Sequence, residues 1–342
     1  MSYFKQITIS AVAAFFIGMW PQSLIASSYN VNPLVSNQPF LAPNTDPNLV
    51  NAWGLFFAPN GNFWVADNGS SLSTLYQPNG TIVPFVINVM INPTGAARNP
   101  GPNFLVGTMP HMHPASFVFA SESGKILGFN STVDPLNAVV AADASSSGAV
   151  YKGLDFVKHR CGAQSLWVAD FHNAVIDIYG GSFNYVKSIR DYWIPDGFAP
   201  FNIRFLNNWV YVAYAKQLPP ANHDDDPGVG NGYVDVFSPC GSLIKRLISG
   251  GNLNSPWGLA IAPNTFGDFS GALLVGNFGD GFINAYDSQT GVFLGELTDP
   301  SGNPIQIDGL WALVFDSNGT LYFSSGPNGE TNGLVGTITL VP

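Results

Sequence analysis

A short pattern of apolar and small residues recurs along the chain. Each copy is an alternating apolar run that ends in a small residue and is followed by a polar turn, as in FWVADNG at 63–69 and LWVADFHN at 166–173. Such alternation over a few residues predicts a half-buried β-strand. Six copies occur, and their small residues are separated by 54, 49, 44, 63 and 48 positions: Ala66, Ala120, Ala169, Ala213, Gly276 and Ser324.

Each copy has similar neighbours on both sides. Upstream lie strings such as AWGLFF at 52–57 and PWGLAI at 256–261, and downstream lie strings such as AVIDIYG and GYVDVFS. Pro-Asn-Gly and Ser-Gln-Thr-Gly between them have hairpin-turn chemistry. Most copies continue into a fourth strand, and four short antiparallel strands every 40–50 residues are the signature of a propeller blade. We therefore predict an all-β, six-bladed β-propeller with four-stranded antiparallel blades.

Packing gives a reason for the repetition. A single twisted sheet cannot bury either of its apolar faces alone, whereas blades around a ring cover one another. Gly54 and Gly258 follow tryptophans in the innermost strands, where neighbouring backbones converge. Large aromatic side chains are expected to fill the spaces between blades, namely Trp64, Phe117, Trp167 and Tyr322.

The two ends of the chain complete the predicted organisation. The sixth copy stops one strand short, and YNVNPLVS at 29–36 is a strand without a blade, so we expect it to form the outer strand of the last blade. Before it, Lys5 precedes an apolar run over 7–20 and small residues, which describes a secretory signal peptide. We predict a signal peptide at 1–27, a single propeller domain at 28–342, and a secreted protein, periplasmic or extracellular.

Composition narrows the function classes. Charged residues make up only 10% of the chain and hydrophobic residues 46%, which argues against disorder. The net charge of −10 argues against nucleic-acid binding, which needs clustered Lys and Arg. Beyond the first residues no run is long enough to span a membrane, and we expect a monomer. The two cysteines, Cys161 and Cys240, are expected in turns on one face of the ring, where one disulfide is an open alternative.

Several strings resemble a known family. WVADNG, APFNI, VAYAK, SPWGLAIAP and LLVGNFGDGFINAYD are similar to a bacterial secreted family related to the NHL-repeat propellers. The resemblance spans nearly all of the chain after the signal peptide and implies a secreted six-bladed propeller, but it implies no reaction. The second copy departs from the family, with His111 and His113 where Gly and Ser are expected. Two histidines do not complete a metal site, so we expect a surface loop there.

Polar residues at strand ends give a candidate ligand site at the mouth of the central channel. In propellers, the turns after the second strands and the starts of the first strands meet on one face, as a ligand site requires. The alternative is that these side chains only hydrogen-bond the adjacent turns. The candidate ligand-binding residues are Asn51, Asp67, Glu122, Asp170, His172, Asn202, Lys216, Asn277, Asp280 and Asp308, with Asn68, Thr94, Asp155 and Ser255 also at such positions.

An acidic insertion makes the fourth spacing the longest. The loop ANHDDDPGVGNG at 221–232 follows Lys216 and is expected to overhang the channel mouth. Asp224, Asp225 and Asp226 offer the oxygen ligands that Ca²⁺ accepts. The spacing is not that of a known calcium loop, so a solvated acidic loop is the alternative to a calcium site.

No standard catalytic motif is present. The leading hypothesis is a non-enzymatic secreted scaffold that binds a small molecule or a protein on its channel face. The alternative is a divalent-metal-dependent hydrolase or lactonase at the channel mouth, with Glu122, Asn202, Ser255 and Asp308 as the nearest candidate residues. A third hypothesis is a structural role at the cell surface through an exposed apolar patch.

Overall fold

A computed structural model describes residues 27–341. The segment in which the sequence predicts a signal peptide lies outside the described residues, except for Ser27. The described chain is all β, with helix limited to three turns of 3₁₀-helix. Six blades form it, each with four antiparallel strands and one of them with a short fifth strand, and their innermost strands contact one another in a ring. The predicted six-bladed propeller is thus confirmed.

Strands β3–β16 form the first three blades, apart from one small sheet. From the channel outward, the first blade contains β3 (Ala52–Phe57), β4 (Phe63–Asp67), β5 (Leu72–Tyr76) and β6 (Ile82–Asn88). The second contains β7 (Pro93–Arg98), β10 (Phe117–Ser121), β11 (Lys125–Phe129) and β12 (Val139–Asp143). The third contains β13 (Tyr151–Lys158), β14 (Gln164–Asp170), β15 (Val175–Tyr179) and β16 (Tyr185–Ile189). The small sheet pairs β8 (Leu105–Val106) with β9 (His113–Pro114).

The remaining strands form the other three blades. The fourth contains β17 (Phe198–Leu206), β18 (Trp209–Lys216), β19 (Gly232–Phe237) and β20 (Leu243–Ser249). The fifth contains β21 (Pro256–Ile261), β22 (Leu273–Asn277), β23 (Ile283–Tyr286) and β24 (Phe293–Glu296). The sixth sheet contains β25 (Leu310–Phe315), β26 (Leu321–Ser325), β27 (Leu334–Leu340), β1 (Tyr29–Ser36) and the two-residue β2 (Asn44–Thr45).

The sixth sheet joins distant parts of the chain. Strand β1 pairs antiparallel with β27, with Tyr29 opposite Leu340 and Ser36 opposite Leu334. The ladder continues by one more hydrogen bond, in which the amide of Val341 donates to the carbonyl of Ser28 over 2.8 Å. The outer strand of this blade therefore comes from the beginning of the described chain and its other three main strands come from the end.

Glycines let the innermost strands approach closely. A Cβ on Gly54 would lie 2.5 Å from the backbone nitrogen of Ala96 in the second blade. A Cβ on Gly258 would lie 2.9 Å from the carbonyl oxygen of Trp311 in the sixth blade. Because real Cβ atoms do not come so close to backbone, these positions require glycine. The sequence prediction for both is confirmed.

Aromatic side chains fill the spaces between neighbouring blades, as predicted. The Trp64 ring of the first blade lies 4.9 Å from the Phe117 ring of the second. The Trp167 ring of the third blade lies 6.4 Å from the Phe237 ring of the fourth, edge to face. Such contacts add to the apolar burial that holds each blade to the next.

Two further features complete the description. Both cysteines are free thiols at exposed positions, Cys161 in the turn between β13 and β14 and Cys240 in the turn between β19 and β20. Those turns lie on one face of the ring, as predicted. Within 27–341, no helix has the length and apolar character needed to cross a membrane.

Candidate functional site

Each innermost strand places one side chain in the channel at the same level, from the fourth residue of β17 and from the second residue of each of the other five strands. In four blades this residue is aromatic, which closes the channel below its mouth with an apolar layer. In the second and third blades the residue is instead polar or charged. In blade order the six residues are Trp53, Thr94, Lys152, Phe201, Trp257 and Trp311.

The aromatic residues of this layer pack against one another. The Trp53 and Trp311 rings stack with centroids 3.6 Å apart, and the Trp257 ring meets Trp311 edge to face at 5.8 Å. Phe278, which follows β22, stacks on Trp311 at 4.0 Å. All three tryptophans are buried, and the indole nitrogens of Trp53 and Trp257 have no hydrogen-bond partner. The floor of the channel mouth is therefore apolar, with two unused hydrogen-bond donors.

Lys152 is the charged member of the layer. Its side chain is only 3% exposed, and its ammonium nitrogen lies 2.5 Å from Oε1 of Glu122. The same nitrogen lies 5.2 Å from the centre of the Trp53 ring and 5.9 Å from that of Phe171. A buried ammonium needs such a partner because burial of an unpaired charge costs several kcal/mol.

A chain of amides links Glu122 to the other side of the mouth. Nδ2 of Asn68 donates to Oε2 of Glu122 over 3.2 Å, and Nδ2 of Asn51 donates to Oε2 of Glu330 over 2.6 Å. The indole nitrogen of Trp311 donates to Oδ1 of Asn51 over 3.1 Å. Residues from the first, second and sixth blades thus meet at one point, which satisfies the geometry expected of a ligand site.

The acidic insertion lies over this mouth, as the sequence indicates. Oδ1 of Asp224 lies 3.8 Å from the Lys152 ammonium and 2.9 Å from Nδ1 of His223. Asp226 instead pairs with Lys216 over 2.6 Å. The three consecutive aspartates therefore have different partners, and the side chain of Asp225 turns inward with a buried Oδ2 that has no hydrogen-bond partner.

Burial and like charges raise two carboxyl pKa values at the mouth. Burial raises the pKa of Asp225, the nearby Ser255 hydroxyl and Lys152 charge lower it, and Asp224 raises it further. Burial also raises the pKa of Glu330, a hydrogen bond from Asn51 lowers it, and the Glu122 and Asp225 carboxylates raise it further. The mouth therefore holds more negative charge than its one buried ammonium compensates.

One cluster in the described chain has the spacing of a metal site. Glu122, His223 and Asp224 each offer one ligand atom, and these atoms lie within 4.8 Å of one another. They come from the second blade and from the insertion of the fourth. Of the three aspartates predicted as metal ligands, only Asp224 belongs to this cluster, because Asp226 is held by Lys216 and Asp225 turns toward Ser255.

Of the other predicted residues, Asp67 and Asp170 lie away from this cluster. Asp67 is fully buried beside Thr74 and Asp46, and burial raises its pKa well above the ordinary value. Asp170 accepts hydrogen bonds from the amides of Val150 and Asn173 and thereby holds its own turn. Asp170 thus stabilises its strand end, which is the alternative that the sequence left open, whereas both carboxyl oxygens of Asp67 are buried without a hydrogen-bond partner.

Four more predicted residues bond to neighbouring loops. His172 contacts the carbonyl of Ala221 through Nδ1 at 2.9 Å and so supports the acidic insertion. Asn277 donates to the carbonyl of Asn252 and accepts from the amide of Asn254. The other two residues have equally local bonds, in which Asp280 accepts from the Asn254 side chain and Asp308 from the Asn328 amide.

Asn202 and Asp155 lie deeper than predicted. We expected both near the starts of inner strands, but they are the fifth residues of β17 and β13. The side chain of Asn202 donates to the carbonyl of Trp257, and Asp155 lies 3.6 Å from Arg204. Both line a cavity of about 340 Å³ at the opposite end of the channel. The predicted positions of Asn202 and Asp155 were wrong because β13 and β17 begin earlier than the aligned apolar strings indicate.

The histidines of the second blade do not join the mouth. His113 pairs with Val106 in the small β8–β9 sheet, and His111 is exposed in the preceding loop. The cluster of potential metal ligands found among residues 27–341 contains neither of them.

Sequence reasoning missed Lys152 and Glu330. The sequence does contain a signal for Lys152. Lys152-Gly153 aligns with Trp53-Gly54, so a lysine replaces the tryptophan that precedes the inner-strand glycine. Glu330 lies in the loop between β26 and β27 and reaches the mouth only through the folding of that loop. No local pattern indicates its contact with Asn51.

These features define a six-bladed β-propeller with a charged channel mouth above an aromatic floor. No protein-family model matches the chain. Two proteins of Acanthamoeba polyphaga mimivirus are similar to it over most of their length. The uncharacterized protein L690 is 32% identical over 94% of this chain and 89% of its own length, and the uncharacterized protein R648 is 31% identical over 91% and 80%. The chain belongs to the family of these two proteins.

Several solved structures share the fold. A structural-genomics protein from Bacteroides thetaiotaomicron has a TM-score of 0.60 at 9% identity, covering 92% of this chain and 76% of its own. The GH93 α-L-arabinofuranosidase of Fusarium graminearum has a TM-score of 0.57 at 12% identity, covering 91% and 98%. Virginiamycin B lyase from Staphylococcus aureus has a TM-score of 0.55 at 10% identity, covering 92% and 100%. At these identities the likeness concerns the fold alone.

Proposed function

We propose that the protein is a ligand-binding propeller that takes a divalent cation at its channel mouth. The observation that carries the proposal is the cluster of Glu122, His223 and Asp224, whose ligand atoms lie within 4.8 Å of one another. Two blades contribute to it, so the folded ring rather than one loop defines its geometry. A partner molecule would then bind to the ion at the channel mouth.

The charge balance at the mouth supports a cation. The carboxyl groups of Glu122, Asp224, Asp225 and Glu330 all act on the single ammonium of Lys152. Repulsion among them contributes to the raised pKa values, and a bound cation would relieve it. The buried Oδ2 of Asp225, which has no hydrogen-bond partner, supplies a further acceptor near the cluster.

The donor set suggests which ions to test. One imidazole nitrogen with carboxylate oxygens suits Zn²⁺ or Mn²⁺, whereas Ca²⁺ prefers a shell made only of oxygen. Glu122 is already bonded to Lys152, so binding must displace or share that contact. The proposal therefore favours a transition-metal ion over calcium.

Metal titration tests the proposal. Protein freed of metal by a chelator should bind one equivalent of Mn²⁺ or Zn²⁺ in calorimetry, and Glu122→Gln combined with Asp224→Asn should abolish this binding. Asp226→Asn is the matched control in the same loop, because Asp226 pairs with Lys216 outside the cluster. Absence of stoichiometric binding, or equal loss in the control, would refute a metal site at this place.

A hydrolase that depends on the same ion is the second candidate. The observation in its favour is that Glu122 belongs to the cluster and also pairs with Lys152. An acid–base pair would therefore lie beside the ion. Metal-dependent cleavage of simple esters or lactones that disappears in Lys152→Gln would support it. A metal-loaded protein without such activity would leave the binding function as the better account.

We also propose that the protein is exported and acts as a monomer. The support for export is the apolar run over 7–20 followed by small residues near Ser27. Expression in a cell with a secretory pathway should give a protein whose N-terminus, read by mass spectrometry, lies near residue 27 or 28. A retained Met1 in the purified protein would contradict this proposal.

A further inference from the structure

A second cavity lies on the face opposite the channel mouth, between the third and fourth blades. Its volume is about 660 Å³. The walls come from three turns, which join β13 to β14, β17 to β18 and β19 to β20. We call it the basic pocket, and its lining residues are Lys158, His159, Arg160, Asn207, Asn208, Trp209, Ser238, Pro239 and Cys240.

The lining of the basic pocket is positively charged, although the whole chain has a net charge of −10. The protein contains 22 acidic and 12 basic residues, yet no carboxylate lines the pocket while Lys158 and Arg160 both do. Neither of these two side chains takes part in an ion pair within residues 27–341. Two uncompensated cations in a concave site attract an anion by focusing their field there.

The pocket also contains a fixed aromatic surface. Asn207 and Asn208 have positive φ values of 49° and 65°. They form a two-residue hairpin turn of the kind in which both central residues adopt the left-handed conformation. Leu206 and Trp209 pair on either side of this turn, so the backbone position of Trp209 is set by the hairpin. Trp209 is nevertheless 42% exposed and lines the pocket, so part of its surface is open to a ligand.

The basic lining continues beyond Trp209. A neighbouring cavity of about 390 Å³ shares Asn207 and Trp209 with the basic pocket. It contains Lys245, whose ammonium donates to the carbonyl of Gln289, and again no carboxylate lines it. A lining with basic residues and without carboxylates therefore continues from one cavity to the other across Trp209.

We propose that the basic pocket binds a small organic anion with a flat ring and a carboxylate or phosphate group. The acid group pairs with Lys158 and Arg160, where charge-assisted hydrogen bonds are stronger than neutral ones. The ring lies against Trp209, whose face favours stacking. This site is independent of the metal cluster, because its residues lie at the other end of the β-strands.

Titration with simple probes tests the chemistry of the basic pocket. 2-Naphthoate should bind with one-to-one stoichiometry and quench tryptophan fluorescence, and its affinity should fall with rising salt. 2-Naphthalenemethanol, which lacks the charge, and inorganic phosphate, which lacks the ring, should each bind at least tenfold more weakly. Equal binding of the neutral alcohol would overturn the proposal, since the pocket would then be only an apolar surface.

Substitutions locate the binding. Lys158→Gln with Arg160→Gln should weaken 2-naphthoate binding about tenfold or more, which corresponds to about 1.4 kcal/mol for each factor of ten. Trp209→Ala should weaken it as well and remove the fluorescence change. The matched control is Arg98→Gln, an exposed arginine outside the basic pocket, which should bind normally. If the double substitution folds and binds unchanged, the site is elsewhere.

The free cysteines give a second readout that does not depend on fluorescence. Cys240 lines the basic pocket, whereas Cys161 is exposed but does not line it. In the Cys161→Ser protein, saturating 2-naphthoate should slow alkylation of Cys240 by iodoacetamide at least threefold. Stoichiometric binding with no protection of Cys240 would contradict the proposed location.

Discussion

The ammonium nitrogen of Lys152 lies 2.5 Å from Oε1 of Glu122, at the level where four other blades place an aromatic ring in the channel. This pair connects the third blade to the second and lies beneath the acidic insertion of the fourth through Asp224. The contact is both a structural link in the ring and the centre of the candidate ligand site.

Removing Lys152 should destabilise the protein strongly. Lys152→Met leaves Glu122 partly buried without its cation, and breaking a buried ion pair costs about 3–5 kcal/mol. Chemical denaturation at pH 8 measures this. Lys216→Met is the control, because the pair with Asp226 is half exposed and should contribute less than about 1 kcal/mol.

A double substitution separates this effect from simple packing loss. Adding Glu122→Gln to Lys152→Met removes the uncompensated charge and should recover part of the lost stability. If the loss of unfolding free energy in the double variant equals the sum of the losses in the two single variants, Lys152 and Glu122 have no interaction free energy.

Asp67→Asn should stabilise the protein at high pH. Burial holds the pKa of Asp67 well above its ordinary value, so the folded state binds a proton that the unfolded state releases. The stability that Asp67 contributes is therefore present below about pH 4 and declines as the pH rises through the raised pKa. The neutral amide avoids this loss, so the gain at pH 8 should be on the order of 1–3 kcal/mol.

The gain should shrink at pH 5, which lies closer to the ordinary carboxyl pKa from which burial raises the pKa of Asp67. Thermal unfolding at both pH values checks the difference. Asp143→Asn is the control, since Asp143 is exposed and hydrogen bonds from Ser145 lower its pKa. An equal gain from Asp67→Asn at pH 5 and pH 8 would show that ionisation is not the cause.

Trp257→Ala should cost about 3–5 kcal/mol of unfolding free energy, because it leaves a cavity in the aromatic floor between Trp53 and Trp311. Urea denaturation gives the value. Trp193→Ala is the matched control, since that side chain is 82% exposed and its loss should change stability by no more than about 0.5 kcal/mol. A loss below roughly 1 kcal/mol for Trp257→Ala would mean that its strand is not buried as described.

Divalent binding at the mouth should depend on pH. Burial and neighbouring carboxylates raise the pKa values of Asp225 and Glu330, so acid protonates these groups before ordinary surface carboxyls and weakens the field that favours a cation. The rise in melting temperature caused by Mn²⁺ should therefore be larger at pH 8 than at pH 5.5. A shift independent of pH would indicate that the ion binds elsewhere.

The fold could be predicted from sequence because its signals are local and repeated. Tryptophan followed by glycine marks inner strands at Trp53 and Trp257, and the physical reason is the close approach that Gly54 and Gly258 permit. Repetition turned these weak signals into a reliable count of blades.

The candidate site was only partly predictable. Asn51 and Glu122 were found because they stand at strand ends, which the repeat aligns. Asp67 also stands at a strand end, but it follows Ala66 directly, whereas Glu122 is two residues after the equivalent Ala120. Because successive side chains of a strand point to opposite faces, Asp67 is buried while Glu122 reaches the mouth. Lys152 was missed for a different reason, as it lies within a strand that looked purely structural.

The ladder between β1 and β27 has a mechanical consequence. Tyr29 and Leu340 face each other at its end, and the hydrogen bonds run perpendicular to the strands. A force pulling these two residues apart would break the interstrand hydrogen bonds one pair after another, starting from this end of the ladder. Under tension, the outer strand of the sixth blade should therefore detach first, at low force, while the other five blades stay intact.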